Sequence, residues 1–187
     1  MSHTKALRSH CFLFIFFITL IVSGFSGAAP SDKPNIIYIL ADDLGFGDLS
    51  CYGESRFQTP HFDALAEKVM RFTQHYSGST VCDPSRCSLL TGLHTGHTPV
   101  RGYAEVEPEG QQPMPADTYT VAMHLRKAGY KTGIFGKWGL GAPDSASEPL
   151  KMGFDRFYGY NCQRLAHCYY PAFLWDDDQR QMLWGNV

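Results

Sequence analysis

The chain has 187 residues, enough for one domain with a hydrophobic core. Its 16 Lys and Arg residues against 18 Asp and Glu residues give a formal net charge of −2, which excludes a strongly basic nucleic-acid binder. Hydrophobic residues make up 44% of the chain and charged residues 18%, which indicates a globular protein rather than a disordered one.

The first 29 residues have the layout of a secretory signal peptide. Lys5 and Arg8 form a basic start, an unbroken apolar run covers residues 11–22, and small residues follow. This run is shorter than the roughly 20 residues that a membrane-spanning helix needs. We therefore expect cleavage after Ala28 or Ala29, export to the periplasm or the cell exterior, and no stable membrane span. An uncleaved membrane anchor is the alternative.

The six cysteines are spaced in no zinc-binding pattern, because paired C-x-x-C elements are missing. An exported protein can pair cysteines as disulfides, and the spacing leaves their connectivity open.

The first predicted elements after the signal peptide are a strand and a helix. The continuous apolar and β-branched run over residues 35–41 predicts a strand buried on both faces of a parallel sheet. Thr59 and Pro60 are typical of a helix start, with Thr59 as the cap and Pro60 in the first turn. Apolar residues continue at helical spacing to Val69, so we expect the helix to reach that far.

Two more helices and a second strand follow. Helices are predicted over residues 84–90 and 120–128, each ended by a glycine. Residues 130–135 predict a second buried strand, and the chain after it, rich in glycine, proline and aromatic residues, predicts mostly loop. This order predicts an α/β fold with a mostly parallel sheet, with no domain boundary inside residues 30–187.

The first candidate site is the pair Asp42 and Asp43, at the carboxyl end of the first predicted strand. Ligands of open α/β sheets bind at that edge. Adjacent carboxylates repel each other unless a cation compensates, and hard cations such as Ca²⁺ and Mg²⁺ prefer carboxylate oxygens. A solvated turn without a metal is the alternative.

The second candidate site is Cys82, just ahead of the helix predicted to begin at Pro84. The positive end of a helix dipole attracts an anion there. Arg86 lies one turn further on, and a guanidinium binds tetrahedral oxyanions with its planar fork. Nucleophile, helix end and guanidinium together suit chemistry on an anion, whereas a buried structural cysteine is the alternative.

The third candidate is Lys137, in the glycine-rich segment 136–141 that follows the second predicted strand. A parallel sheet would place it at the same edge as Asp42 and Asp43. A lysine there can neutralise charge on an anion or a leaving oxygen. An ordinary exposed lysine in a turn is the alternative.

These segments together resemble the type I, formylglycine-dependent sulfatases of the alkaline phosphatase superfamily. Residues 82–92 resemble the first signature of that family and residues 129–138 the second. Residues 34–45 resemble its first metal-binding strand and loop. The resemblance extends from residue 33 to about residue 183, is nearest to the arylsulfatase-like branch, and implies a mostly parallel sheet sandwiched by helices.

The resemblance also implies a nucleophile. Cys82 would be oxidised to formylglycine by a formylglycine-generating enzyme that reads Cys82, Pro84 and Arg86. One oxygen of the hydrated aldehyde would attack the sulfur of a sulfate ester, and the other would then expel sulfate.

A divalent cation and two basic residues complete the implied site. Asp42, Asp43 and the modified Cys82 would contact Ca²⁺ or Mg²⁺, which would hold the sulfate. Arg86 and Lys137 would stabilise the nucleophile and the sulfate oxygens.

Two positions of this chain differ from the pattern of the family, and a third resembles a histidine further downstream in it. Many members have histidine where this chain has Gly139, so a proton-handling role is unfilled or moved. His167 resembles an active-site histidine further downstream in related sequences, with a histidine held among aromatic residues as the alternative. Asp83 replaces the usual small residue, where it would add negative charge near an anion pocket or point to solvent as a helix cap.

Length separates this chain from the family. Members usually have several hundred residues, and their second pair of metal ligands and a further lysine come later than this chain reaches. We therefore expect residues 30–187 to be the amino-terminal part of a sulfatase catalytic domain, with an incomplete sheet. A phosphatase or phosphonate hydrolase of the same superfamily and a truncated, non-catalytic exported protein are the alternatives.

Overall fold

The computed structural model describes residues 33–186, so the predicted signal peptide lies outside the described residues. The chain divides into two compact units, Met1–Met70 and Arg71–Val187, where the sequence predicted no internal boundary. None of the helices within residues 33–186 is long and apolar enough to cross a membrane.

The first unit contains no strand in its described residues. Residues 35–41 form none, although the sequence predicted a strand buried on both faces. Ile37 is 86% exposed and Ile39 is 83% exposed. The prediction was wrong because a buried strand needs neighbouring strands for its hydrogen bonds and packed layers for its side chains. Residues 33–70 supply neither.

Helix α1 covers Pro60–Ala66, so the predicted start is confirmed, whereas the helix ends three residues before Val69. Thr59 occupies the N-cap position, but its hydroxyl does not cap the helix. The hydroxyl instead accepts a hydrogen bond of 3.0 Å from the Ser50 backbone N–H and donates to Asp63 at 3.2 Å.

The second unit contains the two other predicted helices. Helix α2 covers Cys82–Thr91, so it begins two residues before the predicted start at Pro84. It ends at Gly92, which has a left-handed backbone, as the sequence predicted. Helix α3 covers Val121–Lys127, and the side chain of Thr120 accepts a hydrogen bond from the Met123 backbone N–H.

Four strands form one sheet in the order β1-β2-β3-β4. They are, in chain order, Gly133–Lys137, Arg156–Tyr160, Phe173–Asp176 and Gln179–Met182. Strands β1 and β2 are parallel, whereas β2–β3 and β3–β4 are antiparallel. The sheet is therefore mixed, which corrects the prediction of a mostly parallel sheet.

The chain after Gly136 was predicted as mostly loop, and most of its residues do lie outside helices and strands, but the prediction missed regular elements. This part of the chain contains three strands and helix α4, which covers Gln163–His167. Strand β4 is exposed along its length and consists mainly of polar residues, so it lacks the apolar run that signals a buried strand.

Strand β1 lies at an edge of the sheet, in place of the buried strand predicted over residues 130–135. It begins three residues later than predicted, and Phe135 is 70% exposed. An edge strand has only one neighbour, so part of its surface remains open.

The hydrophobic core of the second unit joins the elements that carry the site. Helix α2 contributes its inner face, and the loop after β1 and strand β2 pack against it. The buried members are Cys87, Leu90, Val100, Met114, Trp138, Leu140, Met152 and Phe157. The described cysteines have free thiols, and burial raises the pKa of the Cys87 thiol. Because α2 and the end of β1 share this core, their ends are held in fixed relation.

Candidate active site

Cys82 is the first residue of α2 and is half-buried. Val81 precedes it with extended backbone and provides no capping side chain. The backbone N–H groups of a first helical turn have no partner within the helix and carry partial positive charge. The Cys82 side chain therefore lies where an anion is favoured, as the sequence predicted.

Lys137 reaches Cys82 from the end of β1. Its Nζ donates to the Cys82 Sγ at 3.5 Å. The Nη1 of Arg86 donates to the Lys137 carbonyl at 2.6 Å, which ties the helix to the strand end. The structure thus brings together Cys82, Arg86 and Lys137, three of the residues that the sequence singled out, and their chemical roles stay predictions.

The residue after Lys137 fixes the position of the lysine. Trp138 is 1% exposed, and its indole N–H donates to the Ser147 carbonyl at 2.9 Å. Its backbone N–H donates to the Tyr160 carbonyl, also at 2.9 Å, and so extends the β1–β2 pairing by one residue. Lys137 therefore leaves the sheet from a well-anchored backbone.

Asp83 points into the protein and is fully buried. The alternative that its side chain faces solvent as a helix cap is therefore wrong. The Oδ1 of Asp83 accepts a hydrogen bond of 2.5 Å from Nε2 of Gln163. Burial raises the pKa of this carboxyl from 3.8 to about 6, although the Gln163 hydrogen bond and the charges of Arg86 and Lys137 act to lower it.

Gly139 lies against this pair. Its φ of +75° favours glycine, and a Cβ there would come within 1.8 Å of the Gln163 Nε2. The Gln163 amide therefore fills the space that a side chain at position 139 would need. Sequence reasoning missed Gln163 because it belongs to no motif and lies 80 residues from Asp83.

Asp42 and Asp43 form an exposed bend in the first unit, and Asp43 has a left-handed φ of 56°. Their carboxylate oxygens suit a hard divalent cation. However, no group of three or more His, Cys, Asp or Glu residues within residues 33–186 could hold a metal ion. The described donors therefore do not complete a metal site, and the metal role of the pair stays a prediction.

His167 is the last residue of α4 and is exposed. Its predicted catalytic role stays a prediction.

A protein-family model described as Sulfatase matches residues 34–183, which is most of the chain. The chain belongs to the sulfatase family. This confirms the resemblance drawn from the three sequence segments. It also fits the geometry, because the family match includes both chain segments that meet at Cys82.

Individual sulfatases show the same relationship. The chain is 39% identical to arylsulfatase D of Homo sapiens over 163 residues, which are 82% of this chain and 28% of that protein. It is 44% identical to arylsulfatase A of Bos taurus over 165 residues, which are 82% of this chain and 32% of that protein. This chain therefore spans about a third or less of the length of these relatives.

A solved structure supports the fold. A protein from a study of the metabolism of multiple glycosaminoglycans by Bacteroides thetaiotaomicron superposes with a TM-score of 0.69 at 35% sequence identity. The match covers 81% of this chain and 32% of that protein. The chain thus has a sulfatase-like α/β fold.

Proposed function

We propose that this protein is a sulfuric ester hydrolase of the arylsulfatase-like branch, with Cys82 as the source of its nucleophile. The observation that carries the proposal is the 3.5 Å approach of the Lys137 Nζ to the Cys82 Sγ at the start of a helix. Conversion of Cys82 to formylglycine supplies a hydrated aldehyde whose hydroxyl can attack sulfur. The family membership supports this chemistry.

Positive charge around Cys82 explains why a sulfate group would bind there. The start of α2 carries the positive end of the helix dipole, and the Lys137 ammonium lies beside the reacting side chain. The bond between Arg86 and the Lys137 carbonyl holds both cations close to Cys82. Fixed positive groups of this kind stabilise charge that grows on sulfate oxygens as the ester bond breaks.

Ca²⁺ or Mg²⁺ is the proposed cofactor, with Asp42, Asp43 and the modified Cys82 as ligands. The support is the donor chemistry of two adjacent carboxylates together with the family membership. Further ligands are required, because the donors within residues 33–186 do not form a group of three. His167 is proposed as a further site residue on its sequence resemblance alone.

The partners and the location follow from the same proposal. The substrate would be a sulfate ester, and a formylglycine-generating enzyme would modify Cys82. The signal-like first 29 residues support export to the periplasm or the cell exterior.

The decisive experiment produces the protein together with a formylglycine-generating enzyme. Mass spectrometry of the tryptic peptide that contains Cys82 should show the aldehyde or its hydrate. Sulfate release from an aryl sulfate should appear in the same preparation and should be absent from protein made without the modifying enzyme. Turnover by protein that carries an unmodified thiol would contradict the proposal.

A competition assay separates the alternatives. Sulfate and phosphate are both tetrahedral anions, so the pocket charge alone does not separate them. With aryl sulfate and aryl phosphate present together, we expect sulfate release to dominate. Preferred phosphate release would indicate a phosphatase of the same superfamily. A modified Cys82 without turnover of either ester would favour a non-catalytic protein.

A further inference from the structure

A buried polar pair connects the three chain segments that meet at the site. Asp83 directly follows Cys82 in α2, and Gln163 begins α4. Gly139 follows Lys137 by two residues and leaves the space through which the amide reaches the carboxylate. The Asp83–Gln163 hydrogen bond of 2.5 Å therefore joins α2, which carries Cys82, to the start of α4, and it does so beside Gly139 in the loop that follows Lys137.

Gln163 is itself held from two sides. Its backbone N–H donates to Oε1 of the fully buried Gln111 at 2.9 Å. The Gly139 backbone N–H donates at 3.1 Å to the carbonyl of Asn161, two residues before Gln163. These two hydrogen bonds hold the Gln163 backbone in place relative to Gly139, and neither of them involves α2.

The pair is costly as a purely structural element. Both Asp83 and Gln163 are 0% exposed. In the described part of the chain, the Asp83 Oδ2 and the Gln163 Oε1 are buried without a hydrogen-bond partner. Incompletely satisfied buried polar groups destabilise a fold, and apolar residues of similar size are often at least as stable. A role beyond stability would explain the presence of such a pair beside the nucleophile.

We propose that Asp83 and Gln163 are positioning residues that meet through the gap at Gly139 and set the approach of Lys137 to Cys82. The inference rests on the proposed function for the use of that approach in catalysis, but the geometry can be tested without turnover. In this arrangement the Gln163 side chain takes the space that a side chain at position 139 would need. The pair then fixes the first turn of α2 relative to the end of β1.

Chemical bridging measures the approach directly. Protein made without the formylglycine-generating enzyme keeps the Cys82 thiol. Formaldehyde condenses with the Lys137 amine and this thiol, forming one N–C bond and one C–S bond and releasing water. Peptide mass spectrometry then quantifies the methylene bridge between Lys137 and Cys82.

Two truncations should reduce the bridge. We expect Asp83→Ala and Gln163→Ala each to lower its yield by about tenfold, because a misplacement on the order of 1 Å strongly slows reactions between fixed groups. The double variant should lose no more than either single variant, because both changes break one contact. Asp83→Asn, which keeps an oxygen acceptor for the Gln163 amide, should restore most of the yield.

Thr120→Ala is the matched control. Thr120 is 1% exposed and donates a hydrogen bond of 2.6 Å to the Met152 carbonyl, a bond that involves none of Cys82, Asp83, Lys137 and Gln163. This variant should lose stability but keep the bridge yield. If Asp83→Ala and Gln163→Ala also keep the yield, or if Asp83→Asn loses as much as Asp83→Ala, the positioning role is wrong.

Turnover provides the second measurement. In protein that carries formylglycine, Gln163→Ala should lower kcat on the order of 10²-fold with little change in KM, because the substrate still meets the same charges. Rates are normalised to the formylglycine content, since Asp83 lies inside the segment that the modifying enzyme reads. Unchanged kcat in active protein would overturn the inference. Bridging that behaves as expected in protein without sulfatase activity would instead count against the proposed function alone.

Discussion

Residues 33–70 and residues 71–186 both contain segments that resemble sulfatase signatures, but only the second region has a packed interior. No described residue of 33–70 is buried, and the apolar run at 35–41 is exposed. In the second region, Cys87 of α2 and Trp138 after β1 share one core. In both regions the types of residue present suggest a chemical role. Only in the second region does close packing hold those residues in a defined geometry.

The contrast has a simple physical basis. Burial of apolar surface contributes about 25 cal/mol per Å², and close packing then restricts side chains to one arrangement. Lys137 reaches Cys82 because its neighbour Trp138 is buried and hydrogen-bonded. Asp42 and Asp43 have no comparable buried neighbour within residues 33–70.

The largest effect is expected at the site of the second region. Cys82→Ala should abolish sulfate release, with a loss on the order of 10⁶-fold, because it removes the proposed nucleophile of a covalent mechanism. Sulfate release by the purified variant measures this loss. Cys168→Ala is the control, since this exposed thiol is also on a helix end and should be dispensable. If Cys82→Ala still releases sulfate, Cys82 is not the nucleophile, and the packed site of the second region is not the catalytic site.

A matched pair of phenylalanines tests the difference in packing. Phe157 is 1% exposed in the core of the second region, whereas Phe62 in α1 is 52% exposed. Phe157→Ala should lower the free energy of unfolding by about 3–5 kcal/mol through lost burial and a new cavity. Phe62→Ala should change it by about 0.5 kcal/mol or less. Denaturant titration measures both, and equal losses would show that the first region is packed in solution.

The buried carboxylate of the second region predicts a pH-dependent stability. The pKa of Asp83 is about 6 in the folded protein against an ordinary value of 3.8, so the folded protein keeps a proton that the unfolded chain releases between these values. The stability from this group is fully present below pH 3.8 and is lost as the pH rises through about 6.

Asp83→Asn isolates that contribution. The free energy of unfolding of the unaltered protein, relative to the variant, should fall by about 2–3 kcal/mol from about pH 4 to about pH 8. Denaturant titrations across this range provide the measurement. A constant difference would mean that Asp83 is solvated in solution, which would weaken the contrast between the two regions.

The smallest effect is expected in the first region. Asp42→Ala should weaken Ca²⁺ or Mg²⁺ binding by about tenfold, because it removes one of the proposed charged oxygen ligands. Glu67→Ala is the control, since Glu67 is another exposed carboxylate of the same unit. Calorimetry or elemental analysis of the bound metal measures the change. Equal metal binding in the unaltered protein and both variants would contradict the ligand assignment.

Local sequence patterns predicted the helices better than the sheet. Proline and glycine positions predicted α2, and Gly129 predicted the end of α3, because helix ends depend on residues near in sequence. The strands were harder, since a strand requires a partner elsewhere in the chain. The run at 35–41 looked buried and is exposed, while the polar strand β4 was missed.

The sequence by itself determined the family, a helix next to Cys82 that ends at Gly92, and the residue types of the site, because each depends on short segments with specific chemistry. Only the tertiary structure decided that Lys137 reaches Cys82 and that Gln163 meets Asp83 across 80 residues. Contacts between distant segments arise from the shared core, and no pattern of neighbouring residues encodes them.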